Sequence, residues 1–303
     1  MQHIGELAAF GTAVCWTLSA LYFERASKRI GVLAVNFFKV VFAAVFLTVT
    51  AGVMRGMPLP LDAPRDAWIF LSLSGLVGFV VADIFLFSAY VTIGSRLSTL
   101  FLALSPPLTA VLGYVFLGEA MGTRSLLGMA LVAAGIVLAV LGRGDHAPVE
   151  VPAPGAKPAP HPRVGFLYAF LSSIGQSVGM ILTKRGLGSY DPVSGTQIRV
   201  FVAVVGFAIV SLAWQRGRNL SAAVKDRDAM KTTFGGAVFG PFIGVTLSLF
   251  AMQRTHAGIV STLIGLTPIL IIPPYVIFFK QKVRPLEIAG AVLAVAGSAV
   301  FFL

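Results

Sequence analysis

Asp83 has the most chemistry to offer of any residue in this chain. It lies in Phe79-Val80-Val81-Ala82-Asp83-Ile84-Phe85, a run with no other charge. The remaining eleven of the twelve acidic residues read as loop residues, or sit within about a turn of an apolar run's end. A carboxylate held in hydrocarbon costs at least about 2.5 kcal/mol, so Asp83 should face a cavity or a partner. Such a group suits proton carriage or contact with an ammonium. Equally, it can be a structural acid, capped by a hydroxyl or paired with Lys39 or Arg199. Those two cations each stand about two turns into an apolar run, where long stems can snorkel, pair with an acid or hold a carboxylate. Gly75, Phe79, Asp83 and Tyr90 share roughly one helical face, and Trp16, Trp68 and Gln176 add further aromatic and amide groups. That set suits the stacking and hydrogen bonding of a flat, partly apolar solute.

A second group pairs hydroxyls with prolines. Ser105 precedes Pro106-Pro107 and Thr267 precedes Pro268, with Pro273-Pro274 further on. Proline removes a backbone donor and frees carbonyls, which inside a bilayer is tolerated where a helix is buried or lines a wet cavity. Ser105 and Thr267 can serve that backbone or a ligand, and Pro106 and Pro268 are expected to kink their helices for gating. Enzyme signatures are absent: the chain has no HExxH, no phosphate-binding loop and no cysteine cluster around Cys15. His3, His146, His161 and His256 fall outside the apolar runs or at their rims, with no metal-ligand spacing. No cofactor and no metal are expected.

The elements that must position these residues follow from composition. Apolar residues make up 57% of the 303 and charged residues only 12%, about half the usual share. With a mean hydropathy of +0.89, lipid is the outer solvent. A span needs about 20 apolar residues. Ten runs qualify, near 5–23, 31–53, 67–89, 95–117, 122–142, 165–183, 193–214, 232–252, 257–279 and 285–303, so the fold class is an all-α integral membrane protein. The stretch 143–163 differs in kind: its prolines and charges cannot bury a core and read as a linker. The halves are then 1–142 and 164–303. The net charge of +11 sits in short clusters between the runs, which is the pattern of loop charges that set orientation and not of a nucleic-acid binder. The N-terminal residues include Glu6 and no Lys or Arg before Arg25, unlike a cleaved signal peptide.

The two halves repeat. A shift of 162 places Leu104-Ser105-Pro106 on Leu266-Thr267-Pro268, and Gly78 on Gly240. A shift of 160 places Arg25 on Arg185 and Lys39-Val40 on Arg199-Val200. The mate of Asp83 is Val245, so any role of Asp83 is asymmetric. Five spans is an odd number, which makes the second copy enter from the opposite side. An inverted repeat of that kind puts a site between the halves near the midplane and suits alternating access. The glycine series Gly236, Gly240, Gly244, with Gly128, Gly135, Gly142, Gly290 and Gly297, reads as close helix packing.

On these residues the chain resembles the drug/metabolite transporter superfamily. The segment from Leu104-Ser105-Pro106 through Leu117-Gly118-Glu119 to Gly128 and Gly135 is similar to the EamA-type module. The second copy has Lys280-Gln281 where the first has Gly118-Glu119, which departs from the family's turn carboxylate. The resemblance implies a secondary transporter exporting small metabolites, amino acids with aromatic or apolar side chains among them. Trp16, Phe79, Asp83, Tyr90, Ser105, Gln176 and Thr267 are the expected substrate contacts, with the bilayer and a small-molecule solute as partners, no nucleic acid, and a monomer as the working unit. An integral-membrane enzyme acting on lipid, a channel and a carrier of another metabolite are the alternatives. Of the 23 Lys and Arg, fifteen fall in loops on the linker's side, six opposite, and Lys39 and Arg199 within runs. Positive loops stay in the cytoplasm, so both termini are expected on the non-cytoplasmic side of the cell's inner membrane.

Overall fold

The computed structural model describes residues 3–117, 122–142, 162–213, 217–254, 260, 263–279 and 283–302. Among these the chain is helical, with no strand. Six helices are long and apolar enough to cross a membrane: α1 (Ile4–Ile30), α2 (Val32–Arg55), α3 (Arg65–Ile93), α6 (Pro162–Leu187), α7 (Pro192–Ala213) and α9 (Arg227–Ala251). Between and after them come α4 (95–117), α5 (Thr123–Gly142), the short α8 (Gly217–Lys225), α10 (Thr267–Leu270), α11 (Ile272–Phe279) and α12 (Pro285–Phe302). The helices are apolar on their outer faces as well. Val45, Val49 and Val53 on α2, and Val205, Ile209 and Leu212 on α7, are exposed at one-turn spacing. A soluble protein would not leave such stripes bare, whereas lipid tails make that exposure favourable.

Single glycines join α1 to α2 and α3 to α4. Gly31 and Gly94 both have φ of 86°, a conformation open to glycine that reverses the chain in one residue. α1 runs past the apolar stretch 5–23 and carries Glu24 into the interior, where it is fully buried. The sequence expectation that Asp83 alone among the acids is interior is therefore corrected: Glu24 and Glu287 are buried too. A charge ends an apolar run in the sequence, but a helix stops only where its hydrogen-bond ladder does, here at Gly31.

The first half pairs with the second. α1 lies along α9, α6 along α3, α2 along α7, and α5 along α12. The last contact is close because Gly135 faces the backbone of Gly290 and Ala294; a methyl on Gly135 would sit 2.4 Å from the Ala294 nitrogen. The prolines break their helices. A 3-10 turn at Leu102–Leu104 precedes Pro106-Pro107 in α4, and the chain turns at Ile271 between α10 and α11. What the sequence does not reveal is a pair of π-helical segments, Gly75–Val81 inside α3 and Val238–Gly244 inside α9. They occupy matching places in the two halves. Nearly all of 143–163, the turn Gly118-Glu119 and the loop Lys280-Gln281 lie outside the described residues.

Candidate functional site: a buried ionic cluster between the halves

The π segment of α3 widens the helix by one residue in each turn and redirects the side chains that follow it. Asp83 stands two residues beyond it and is 6% exposed. Its Oδ2 meets the Lys39 ammonium at 2.5 Å, and its Oδ1 accepts from Gln176 Nε2 at 3.1 Å. Gln176 also donates to the Gly78 carbonyl at 3.3 Å, inside the π segment. The Lys39 ammonium lies 4.0 Å from the centre of the Phe87 ring and 5.5 Å from that of Phe23. Neither Lys39 nor Arg199 snorkels. Both are buried, and Arg199 lays its guanidinium over the Phe79 ring at 4.4 Å while feeling the field of Asp83. One carboxylate thus sits among two cations and an amide, contributed by α2, α3, α6 and α7. A charge of this kind is held out of water only because each group has an opposite charge, an amide or a ring face to meet.

The other expected contacts fall elsewhere. Tyr90 is buried beside Phe87, with ring centres 5.3 Å apart, near enough to Asp83 and Glu24 for their charges to act on it. Phe79, Asp83 and Gln176 therefore converge, with Tyr90 adjacent. Trp16 packs on Gly244 in the π segment of α9. Trp16 and Gln176 are repeat mates, and each leans on the π segment of the opposite half. Ser105 joins a hydroxyl chain that fastens α4 to α6: it lies 3.1 Å from Ser177 Oγ, and its carbonyl accepts from that hydroxyl at 3.0 Å. Ser173 donates at 2.7 Å to the Phe101 carbonyl, which the 3-10 turn leaves without the Ser105 amide, since that amide turns to Leu102. Thr267 donates to the Ile264 carbonyl at 2.7 Å, also within the break of its own helix.

A second buried ionic cluster lies at the end that carries the α1–α2 and α3–α4 turns. Glu24 accepts from the Ser95 amide at 2.6 Å and pairs with Lys28 at 2.9 Å. Arg96 meets Glu287 at 2.7 Å and stacks its guanidinium on Tyr275, 5.2 Å from the ring centre. Pro268 lines the same small cavity as Arg96 and Glu287. This cluster ties α1, α4, α11 and α12 together and went unread in the sequence, although Glu24 and Lys28 are spaced as an i, i+4 pair. Among the described residues no group of His, Cys, Asp and Glu could hold a metal ion.

Such a molecule is a multi-pass membrane protein whose two repeats enclose charge at their common boundary. The EamA-like transporter family matches residues 3–141 and 163–303, and the chain belongs to that family. A solved structure titled only as the crystal structure of a protein aligns with TM-score 0.67 at 18% identity. The alignment covers 99% of this chain and 96% of that one, which shows a shared fold. No curated protein sequence matches this one.

Proposed function

We propose that this protein is a secondary transporter of the drug/metabolite type that exports small metabolites, including amino acids with aromatic or apolar side chains. The observation that carries the reading is the Lys39–Asp83–Gln176 cluster, with Arg199 beside it, built from both halves at their boundary. Charged groups so buried are expensive, and in carriers they mark the solute's path. Phe79 and Tyr90 supply flat apolar surface around that charge, in keeping with the resemblance to the aromatic amino-acid exporter YddG. Ten spans in two inverted halves, 1–142 and 164–303 around the linker, complete the reading. Alternating access then works by rocking one half on the other. The Glu24–Ser95 and Arg96–Glu287 contacts join helices at one end and are the ones such rocking would have to break. The π segments and the breaks at Pro106 and Pro268 are the places where helices can bend. The loop charges put the linker in the cytoplasm and both termini across the inner membrane.

Counterflow in proteoliposomes tests this reading. Purified protein loaded with each of the twenty amino acids in turn should show saturable, trans-stimulated uptake of the labelled form of its substrate. A flux without trans-stimulation would mean a channel, and chemical conversion of lipid without flux would mean an enzyme. Alkaline phosphatase fused after Leu303 should be active; a silent phosphatase with a bright fluorescent fusion there reverses the orientation.

A further inference from the structure

Arg199 is the repeat mate of Lys39, yet it does not share Lys39's circumstances. Lys39 has Asp83 at 2.5 Å, whereas the position matching Asp83 in the second half is Val245. Arg199 is therefore carried to the same depth without an acid of its own. It is 8% exposed, and its Nε has no hydrogen-bond partner. Among the described residues, the one carboxylate that acts on either cation is Asp83, already held by Lys39 and Gln176. Two buried cations thus share one carboxylate. A buried guanidinium whose Nε is idle is costly unless an anion completes it. The fold also makes room for it to lie flat. Gly75 admits the Arg199 backbone against α3, and Gly78 leaves the helix face bare beside the guanidinium: a methyl on Gly78 would sit 3.5 Å from Arg199 Nη2. Beneath the guanidinium lies Phe79, so an anion at its edge would have an apolar wall next to it.

We infer that Arg199 is the seat for a carboxylate of the transported solute, and that Asp83 balances its charge while the seat is empty. This deepens the exporter reading and rests on it for the word "transported", but not for the binding itself. Arg suits the task because its planar fork meets a carboxylate with two parallel hydrogen bonds, which a lysine in the same place does not. The chemical class that follows is a monocarboxylate with an apolar or aromatic body, with or without an amino group.

Binding is measured on the purified full chain in lipid nanodiscs, with four probes: L-phenylalanine, 3-phenylpropionate, L-phenylalaninamide and 2-phenylethylamine. The two acids should bind and the amide and amine should not. Arg199→Gln should weaken the acids at least tenfold, and Arg199→Lys should restore part of that loss. Asp83→Asn removes the internal competitor and should tighten the acids several-fold, with a larger thermal stabilisation by 3-phenylpropionate than wild type shows. A misfolded variant cannot give that gain. Equal binding of acids and amines by wild type, or no binding of either acid, overturns the seat, as does weaker acid binding by Asp83→Asn in folded protein. Counterflow of the amine alone would do the same and leave the exporter reading standing. Acid binding lost in Arg199→Gln, with no counterflow of any amino acid, would keep the seat and sink the exporter.

Discussion

The two π-helical segments are the same backbone device put to different ends. In α9, Gly236, Gly240 and Gly244 form a flat stripe, and α1 covers it with Phe23, Ser19 and Trp16. Ser19 donates to the Gly236 carbonyl at 3.2 Å. In α3 the matching segment is covered by α6, where Ser74 reaches the Gly179 carbonyl at 2.7 Å and Gln176 reaches Gly78. There Arg199 lies on Phe79, and Asp83 follows at the segment's end. Where α3 has Asp83, α9 has Val245, so both repeat-related cations stand in the field of the one carboxylate on α3. A symmetric fold becomes an asymmetric site through one carboxylate.

The largest effect expected is at that carboxylate. Asp83→Leu leaves Lys39 and Arg199 buried without an acid and should cost about 3–5 kcal/mol of stability. Val245→Ala, at the matching place, removes only two methyl groups and should cost about 1–2 kcal/mol. Thermal unfolding in detergent compares them; equal losses would mean that the charge asymmetry does not set the stability of the halves.

Next come the glycines under each covering helix. A methyl on Gly75 would stand 2.4 Å from the Arg199 carbonyl oxygen, which is backbone and cannot turn aside. A methyl on Gly236 meets only the ring of Phe23, at 2.5 Å. Gly75→Ala should therefore cost about 1–3 kcal/mol, and Gly236→Ala less, since a side chain can shift. The reverse order in melting temperatures would place the tighter seam in α9.

Trp16 and Gln176 sharpen the comparison by function. Gln176→Leu strips Asp83 and Gly78 of a donor and should lower stability by about 1–2 kcal/mol along with transport of every substrate. Trp16→Ala should raise the apparent Km several-fold for bulky aromatic substrates first, since a stacked ring contributes on the order of 1 kcal/mol beyond burial. Equal loss for glycine and phenylalanine in Trp16→Ala would mark that residue as packing alone.

The smallest effect is at the rims, where the two halves agree. Asp62 lies just ahead of α3 and Asp226 caps α9. The Arg55 guanidinium holds the Asp62 carboxyl below its ordinary range, and the Ala229 amide, with Arg29 beside it, does the same for Asp226. Carboxyls lowered by folding stabilise above the unfolded pKa, and that contribution fades as pH falls through the folded value. Asp62 is exposed and Asp226 half-buried, so melting should soften only slightly between about pH 5 and about pH 3. Asp62→Asn and Asp226→Asn should each blunt that slope by a similar amount. A slope that vanishes in one variant alone would make the rims as unequal as the centre.

The sequence by itself determined the solvent, the all-helical class and the repeat. Too few charges for a water-facing shell left only lipid, and Lys39-Val40 against Arg199-Val200 marked two related halves before any coordinate. It also singled out Asp83 and left it a cavity, a hydroxyl, or Lys39 or Arg199 to meet, because an isolated carboxylate among apolar residues must be matched by something. Only the tertiary structure decided which match is made. Side chains 44 and 93 residues apart, Lys39 to Asp83 and Asp83 to Gln176, meet through the packing of α2, α3 and α6, and no spacing rule reports that. The π segments were invisible for a related reason: an extra residue in a helical turn is held by contacts from a neighbouring helix, not by the local sequence. Glu24 was misjudged because a charge beside an apolar run looks like its end. Its partner, the Ser95 amide, is 71 residues away, and a buried charge becomes tolerable only when the fold brings such a partner to it.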